Sequence, residues 1–169
     1  QDQVGFEALD VEAVREAFET AFEQVLRGNS ENDGFNRLVL LAKLDWRQVS
    51  VLRAYCKYLL QIGVPFSQNY MEATLARYPL LARLLVELFE ARFHPATGKE
   101  SRAEIEQGMA RLQAQLRALA GDNEATLAAL QPLLEARAGS RAGQEQAARE
   151  ALIGLLDRVS SIDEDRIVR

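Results

Sequence analysis

One histidine and one cysteine are all the chain offers of the two side chains best suited to metal ligation and nucleophilic attack. Glu90 and His94 stand one helical turn apart and can reach a common ion, but two ligands rarely hold a metal alone. A histidine at a helix C-terminus is favoured by the macrodipole in any case. Cys56 falls inside the apolar arc of its helix, where burial raises a thiol pKa and keeps it inert. Its only candidate histidine base belongs to another helix. Asp163-Glu-Asp165 gathers acids where a helix would begin, and the dipole accounts for them without catalysis. Gly139 and Gly143 follow no strand, so they make no phosphate cradle, and G-x-G-x-x-G, P-loop and G-x-S-x-G patterns are missing. Met109 sits in an apolar seam and reads as packing. No catalytic, cofactor-binding or metal-ligating residue is assigned.

Charge narrows the partners. A net charge of -5 in 169 residues and a pI near 5.1 argue against nucleic acid, whose phosphates call for an excess of Lys and Arg. Locally the balance reverses: between Gly34 and Met71, Arg37, Lys43, Arg47, Arg53 and Lys57 face only Asp45. These read as a solvated helix face or as partners for acidic helices within the chain, and an anion site is the less favoured alternative. The lone Cys56 cannot form an internal disulfide, no apolar run spans a bilayer, and no secretory signal opens the chain. A cytoplasmic protein is expected, with neither membrane nor nucleic acid as partner.

The elements that would position these residues are all helical, since apolar spacings of three and four recur and strand-like alternation is missing. Leu9 and Val14 bracket Asp10 as a hydrophobic staple, and Val14, Phe18, Phe22 and Val25 form one stripe ending at Gly28. Ser30 with Asp33 opens a second helix with Phe35, Leu38, Val39 and Ala42 inward. Asp45 and Gln48 cap a third, which Gly63 and Pro65 stop. Its apolar arc of roughly 200°, including Tyr55, Cys56, Tyr58 and Leu59, exceeds an ordinary buried stripe and predicts a helix at the centre of the bundle. Phe66, Ser67 and Met71 start a fourth helix, and Pro79 a leucine-rich fifth.

All twelve aromatic residues (seven Phe, four Tyr, one Trp) lie between Phe6 and Phe93. Aromatic side chains specify cores, so residues 1–95 are expected to be a compact bundle of about five helices. Residues 96–100 are the expected boundary loop, and 101–160 an Ala/Leu-rich helical hairpin or arm. In that arm Ser101 and Glu104 cap a seam of Ile105, Met109, Leu112, Leu116 and Leu119. A second helix from about Asn123 to Ala138 is interrupted at Pro132, residues 138–143 form a loop, and Ala148, Leu152, Leu155, Leu156 and Val159 line the last helix. Ser161 to Glu164 has the form of a capping box for a helix over 161–169, cut near its start as in a piece of a longer chain.

Several strings resemble the large bacterial NAD-specific glutamate dehydrogenases. They are Asp33-Gly-Phe-Asn-Arg-Leu-Val-Leu-Leu-Ala42, Leu44-Asp-Trp-Arg47, Val51 to Gly63, Pro65-Phe-Ser-Gln68, Leu88-Phe-Glu-Ala-Arg-Phe93 and Ile162-Asp-Glu-Asp-Arg-Ile167. The resemblance covers residues 31–95 and 155–169 and fades from Thr97 to Ala147. It implies a parent enzyme that oxidatively deaminates L-glutamate to 2-oxoglutarate and ammonia, with NAD as hydride acceptor. It also implies a very large subunit in which helical segments connect N-terminal regulatory regions to a C-terminal dehydrogenase core. The family's catalytic lysine and aspartate and its nucleotide-binding fold lie in that core and match nothing here. The resemblance therefore implies an inactive helical connector just before the catalytic part, partnered by other domains of the same subunit in a homo-oligomer. The alternative is a stand-alone α-helical interaction module without catalysis.

Overall fold

The computed structural model describes residues 11–93, 102–136, 141–156 and 159, with side chains from 15–93, 106–136, 143–156 and 159. Within them lie eight α-helices and one 3-10 turn, with no strand: α1 (Val11–Leu26), the 3-10 turn (Gly34–Arg37), α2 (Leu38–Leu41), α3 (Trp46–Gln61), α4 (Gln68–Arg77), α5 (Pro79–Phe93), α6 (Arg102–Ala120), α7 (Glu124–Leu134) and α8 (Arg141–Leu156). The all-α class is as expected. The staple at Leu9 and Asp10, the cap at Ser101, the boundary at 96–100 and the capping box at Ser161 lie outside the described residues.

Local signals set most helix ends. Asp45 and Gln48 form a full capping box: the Asp45 carboxylate accepts from the amides of Arg47 and Gln48, and the Asp45 amide donates to Gln48 Oε1. Ser67 accepts from the Tyr70 amide to start α4, and Asn123 from the Thr126 amide to start α7. Gly28 and Gly63, at φ +73° and +82°, take the left-handed conformation that closes α1 and α3. The second helix differs from expectation. Asp33 rather than Ser30 is the N-cap, and the chain runs through a 3-10 turn before the single turn of α2. Phe35, Leu38, Val39 and Ala42 are buried as expected. Pro132 leaves α7 ending at Leu134, shorter than expected, and α8 already includes Arg141 to Gly143, which the sequence assigned to a loop.

Two cores share one helix. The first joins Phe35, Leu38, Val39, Ala42 and Leu44 to Val49, Leu52 and Cys56 of α3, Met71 and Leu75 of α4, and Ala82 and Val86 of α5. The second joins Leu81 and Leu84 of α5 to Leu116, Leu130, Leu133 and the α8 residues Ala148, Ala151, Leu152 and Leu155. At 100° per residue, Ala82 and Val86 point away from Leu81 and Leu84, so α5 is the wall between the cores. The central position expected of α3 therefore belongs to α5. Helix α3 buries one ordinary stripe, Val49, Leu52, Arg53 and Cys56, and leaves Tyr55 and Tyr58 in solvent. Helices α6 to α8, in the stretch expected to form a helical hairpin or arm, pack back onto α5 through the second core among the described residues.

Helix α1 is also turned from its expected face. Ala17 and Ala21 meet the first core, while Phe18 and Phe22 stay half-exposed and stack on each other at 6.2 Å. Small residues let helix backbones approach closely, and the rings recover part of their contact from one another. Leu52→Ala and Leu84→Ala, one in each core, are each expected to cost about 2–5 kcal/mol in denaturant melts. Leu59→Ala, at a half-buried position, is expected to cost less. A loss below about 1 kcal/mol for Leu52→Ala contradicts this packing.

Candidate functional site

The basic residues singled out in the sequence divide by partner. Arg53, drawn on the polar side of α3, is 5% exposed. Its Nε donates to Asp33 Oδ2 at 2.6 Å and its Nη2 to Asp33 Oδ1 at 2.9 Å and Asn36 Oδ1 at 3.1 Å. The Phe35 ring lies 5.9 Å from the guanidinium carbon. Lys57 pairs with Glu31, and Arg37 Nε donates to the Gly34 carbonyl. Lys43 adopts φ +54°, and its carbonyl accepts from Arg83 Nη1 at 2.8 Å. Within the chain, then, Arg53 and Lys57 serve acidic partners. Arg47 is different: it is exposed and its guanidinium lies 4.8 Å from the Trp46 ring.

Arg47 opens a shallow groove of about 590 Å³ along the outer face of α3 where it meets α5. Ser50, Val51, Ala54, Tyr55, Tyr58 and Phe89 line it. Tyr55 meets Phe89 edge-on at 6.0 Å, and Phe89 continues to Phe93 at 5.1 Å. Helical periodicity aligns Arg47, Val51, Ala54, Tyr55 and Tyr58, while Gln48 ties α3 to α5 by donating to Glu90 Oε1 at 3.0 Å. No histidine, cysteine or carboxylate lines the groove, so its chemistry is apolar contact beside one guanidinium, not acid–base work. The sequence reading drew Tyr55 and Tyr58 into the core. The excess width of the apolar arc was the missed signal, because an arc wider than one buried stripe leaves apolar surface over.

The remaining candidates carry no reactive arrangement. Cys56 is buried with Sγ 3.8 Å from Met71 Sδ, and burial first, then the nearby Glu72 and Asp33, push its thiol pKa up. Glu90 is held by Gln48. His94, Gly139 and Asp163 to Asp165 lie outside the described residues, while Gly143 sits in the first turn of α8 and Met109 is buried. Among the described residues no cluster of three or more His, Cys, Asp or Glu could hold a metal, and no helix is long and apolar enough to cross a membrane. One buried acid stands out. Glu87 lies 2.7 Å from Arg83 Nη2, and desolvation, opposed by Arg83 and assisted by Glu90, pushes its pKa up to about 7.

Residues 30–95, which hold α2 to α5, match the family model described as glutamate dehydrogenase, helical motif 3. The chain is 32% identical over 161 residues to the NAD-specific glutamate dehydrogenase of Pseudomonas aeruginosa, covering 95% of this chain and 8% of the relative. It is 40% identical over 126 residues to that of Mycobacterium tuberculosis, covering 73% of this chain and 8% of the relative. The chain belongs to the NAD-specific glutamate dehydrogenase family. A third member, from Halomonas elongata, is 47% identical over 88 residues, covering 52% of this chain and 6% of the relative. The chain thus spans 6 to 8% of the length of these glutamate dehydrogenases. The aligned stretch with the Pseudomonas member, 161 residues, is longer than residues 31–95 and 155–169 together. No solved structure matches the chain.

Two predictions test the buried charges of this family motif. Asp33→Ala strands Arg53 in a site that excludes water and is expected to cost about 3–5 kcal/mol in denaturant melts. For Glu87 the folded pKa lies above the ordinary value of 4.5. Between about pH 4.5 and about pH 7 the folded chain keeps a proton that the unfolded chain has released. This contribution to stability is full at low pH and lost as pH rises through about 7. Denaturation midpoints measured from pH 5 to pH 8 are therefore expected to show less pH dependence in Glu87→Gln, whose side chain does not ionise; an unchanged slope contradicts the assignment.

Proposed function

We propose that this chain is a helical connector of an NAD-dependent glutamate dehydrogenase. The parent enzyme oxidatively deaminates L-glutamate to 2-oxoglutarate and ammonia in the cytoplasm, and NAD accepts the hydride. The connector holds neighbouring domains of one large subunit against one another within a homo-oligomer, and it contributes no catalytic or NAD-binding residue. The observation that carries this reading is the match of residues 30–95 to a motif named for its helices rather than for a nucleotide or substrate site. The buried charged side chains fit the same role, since Arg53 and Arg83 are engaged in joining helices.

A connector of this kind is expected to give no binding heat when NAD is titrated into residues 1–169 in a calorimeter, and no glutamate-dependent reduction of NAD. A dissociation constant for NAD below about 1 mM on this chain overturns the assignment.

A further inference from the structure

We infer that the groove between α3 and α5 is a docking surface for an acidic amphipathic helix from another part of the same large subunit. The inference deepens the connector reading and rests on it. Tyr55, Tyr58 and Phe93 are 48%, 57% and 57% exposed; Tyr55, Phe89 and Phe93 form a run of touching rings, and Tyr58 lines the same groove. Scattered exposed apolar residues need no explanation, but a contiguous strip over a groove marks a binding face. An apolar trough between two helices is the kind of surface into which amphipathic helices lay their apolar side chains.

Charge selects the occupant. Arg47 lies over Trp46 at 4.8 Å, and Arg92 over Phe93 at 5.6 Å. Arg53, Arg83 and Lys57 each hold a carboxylate, whereas Arg47 and Arg92 have none among the described residues. Stacking on an aromatic ring leaves a guanidinium edge free to accept a carboxylate in two parallel hydrogen bonds. The acids nearest them in sequence are engaged elsewhere: Asp45, two residues before Arg47, caps α3, and Glu90, two residues before Arg92, accepts from Gln48. The strip thus lacks both apolar cover and negative charge, and an amphipathic helix with Asp or Glu beside aliphatic residues supplies both. A second copy of this face is disfavoured, because it brings two further arginines to the contact and no carboxylate to pair with them. The relatives provide ample chain for the occupant, since this segment spans 6 to 8% of their length. Another exposed patch, Phe18, Phe22 and Leu26, offers no such selection: its neighbours Arg15 and Arg27 already pair with Glu19 and Glu23.

The test uses the full-length enzyme with the photoreactive residue p-benzoylphenylalanine in place of Tyr58, an exposed position whose replacement leaves both cores intact. Irradiation, digestion and mass spectrometry are expected to identify a net-acidic peptide from outside residues 1–169. Oligomers mixed from isotopically light and heavy subunits are expected to give cross-links within one subunit. Reversing both charges, Arg47→Glu with Arg92→Glu, is expected to cut the cross-link yield about fivefold while the circular dichroism spectrum is unchanged. A cross-link to residues 1–169 of another copy, to a neutral or basic peptide, or no cross-link at all overturns the docking inference. Failure of the connector reading shows separately, as a coding sequence that holds no dehydrogenase domain beyond this segment.

Discussion

The buried pairing of Arg53 with Asp33 is the constraint on which the first core depends. Asp33 acts twice, since its Oδ1 accepts from the Phe35 amide to start the 3-10 turn and its carboxylate receives the Arg53 guanidinium. One side chain therefore fixes where the turn begins and how α3 lies against it. Phe35 packs under the guanidinium and leads Leu38, Val39 and Ala42 into the core. A buried charge is costly unless its hydrogen bonds are met, and here the bidentate carboxylate and Asn36 meet most of them. Turning α3 so that Arg53 reaches Asp33 necessarily turns Tyr55 and Tyr58 outward. The groove is the other face of the same decision.

A second buried arginine ties the turn after α2 to α5. Arg83 donates to the carbonyl of Lys43, whose left-handed conformation aims it inward, and pairs with Glu87 one turn along its own helix. With Gln48 bridging to Glu90, α5 is fastened to both ends of the α2–α3 connection. That fastening leaves the opposite side of α5 free for Leu81 and Leu84 to meet α7 and α8. A helix held on one face by hydrogen bonds and on the other by leucines makes a stiff wall between two cores, a property suited to a connector.

Legibility followed sequence distance. The capping box at Asp45, the start of α4 at Ser67, the start of α7 near Asn123, the glycine stops and Pro79 at the head of α5 were all readable, because each involves groups within a few residues. Burial of Phe35, Leu38, Val39 and Ala42 was readable from period and from their lack of polar atoms. The two faces misjudged, Phe18 with Phe22 and Tyr55 with Tyr58, are aromatic positions where hydrophobicity alone argued for burial. Alanines in α1 and an arginine in α3 took the inward places instead, through close backbone approach and a partner twenty positions away.

The sequence by itself determined an all-helical chain, the ends of most helices and the family to which the chain belongs. Local hydrogen bonding, apolar period and long matching strings each act without reference to the rest of the fold. Only the tertiary structure decided which helix is central, that Arg53 is interior, and that α6 to α8 close onto α5. Those outcomes turn on pairings between residues far apart in the chain, where one carboxylate or one pair of alanines outweighs the hydrophobicity of a whole face.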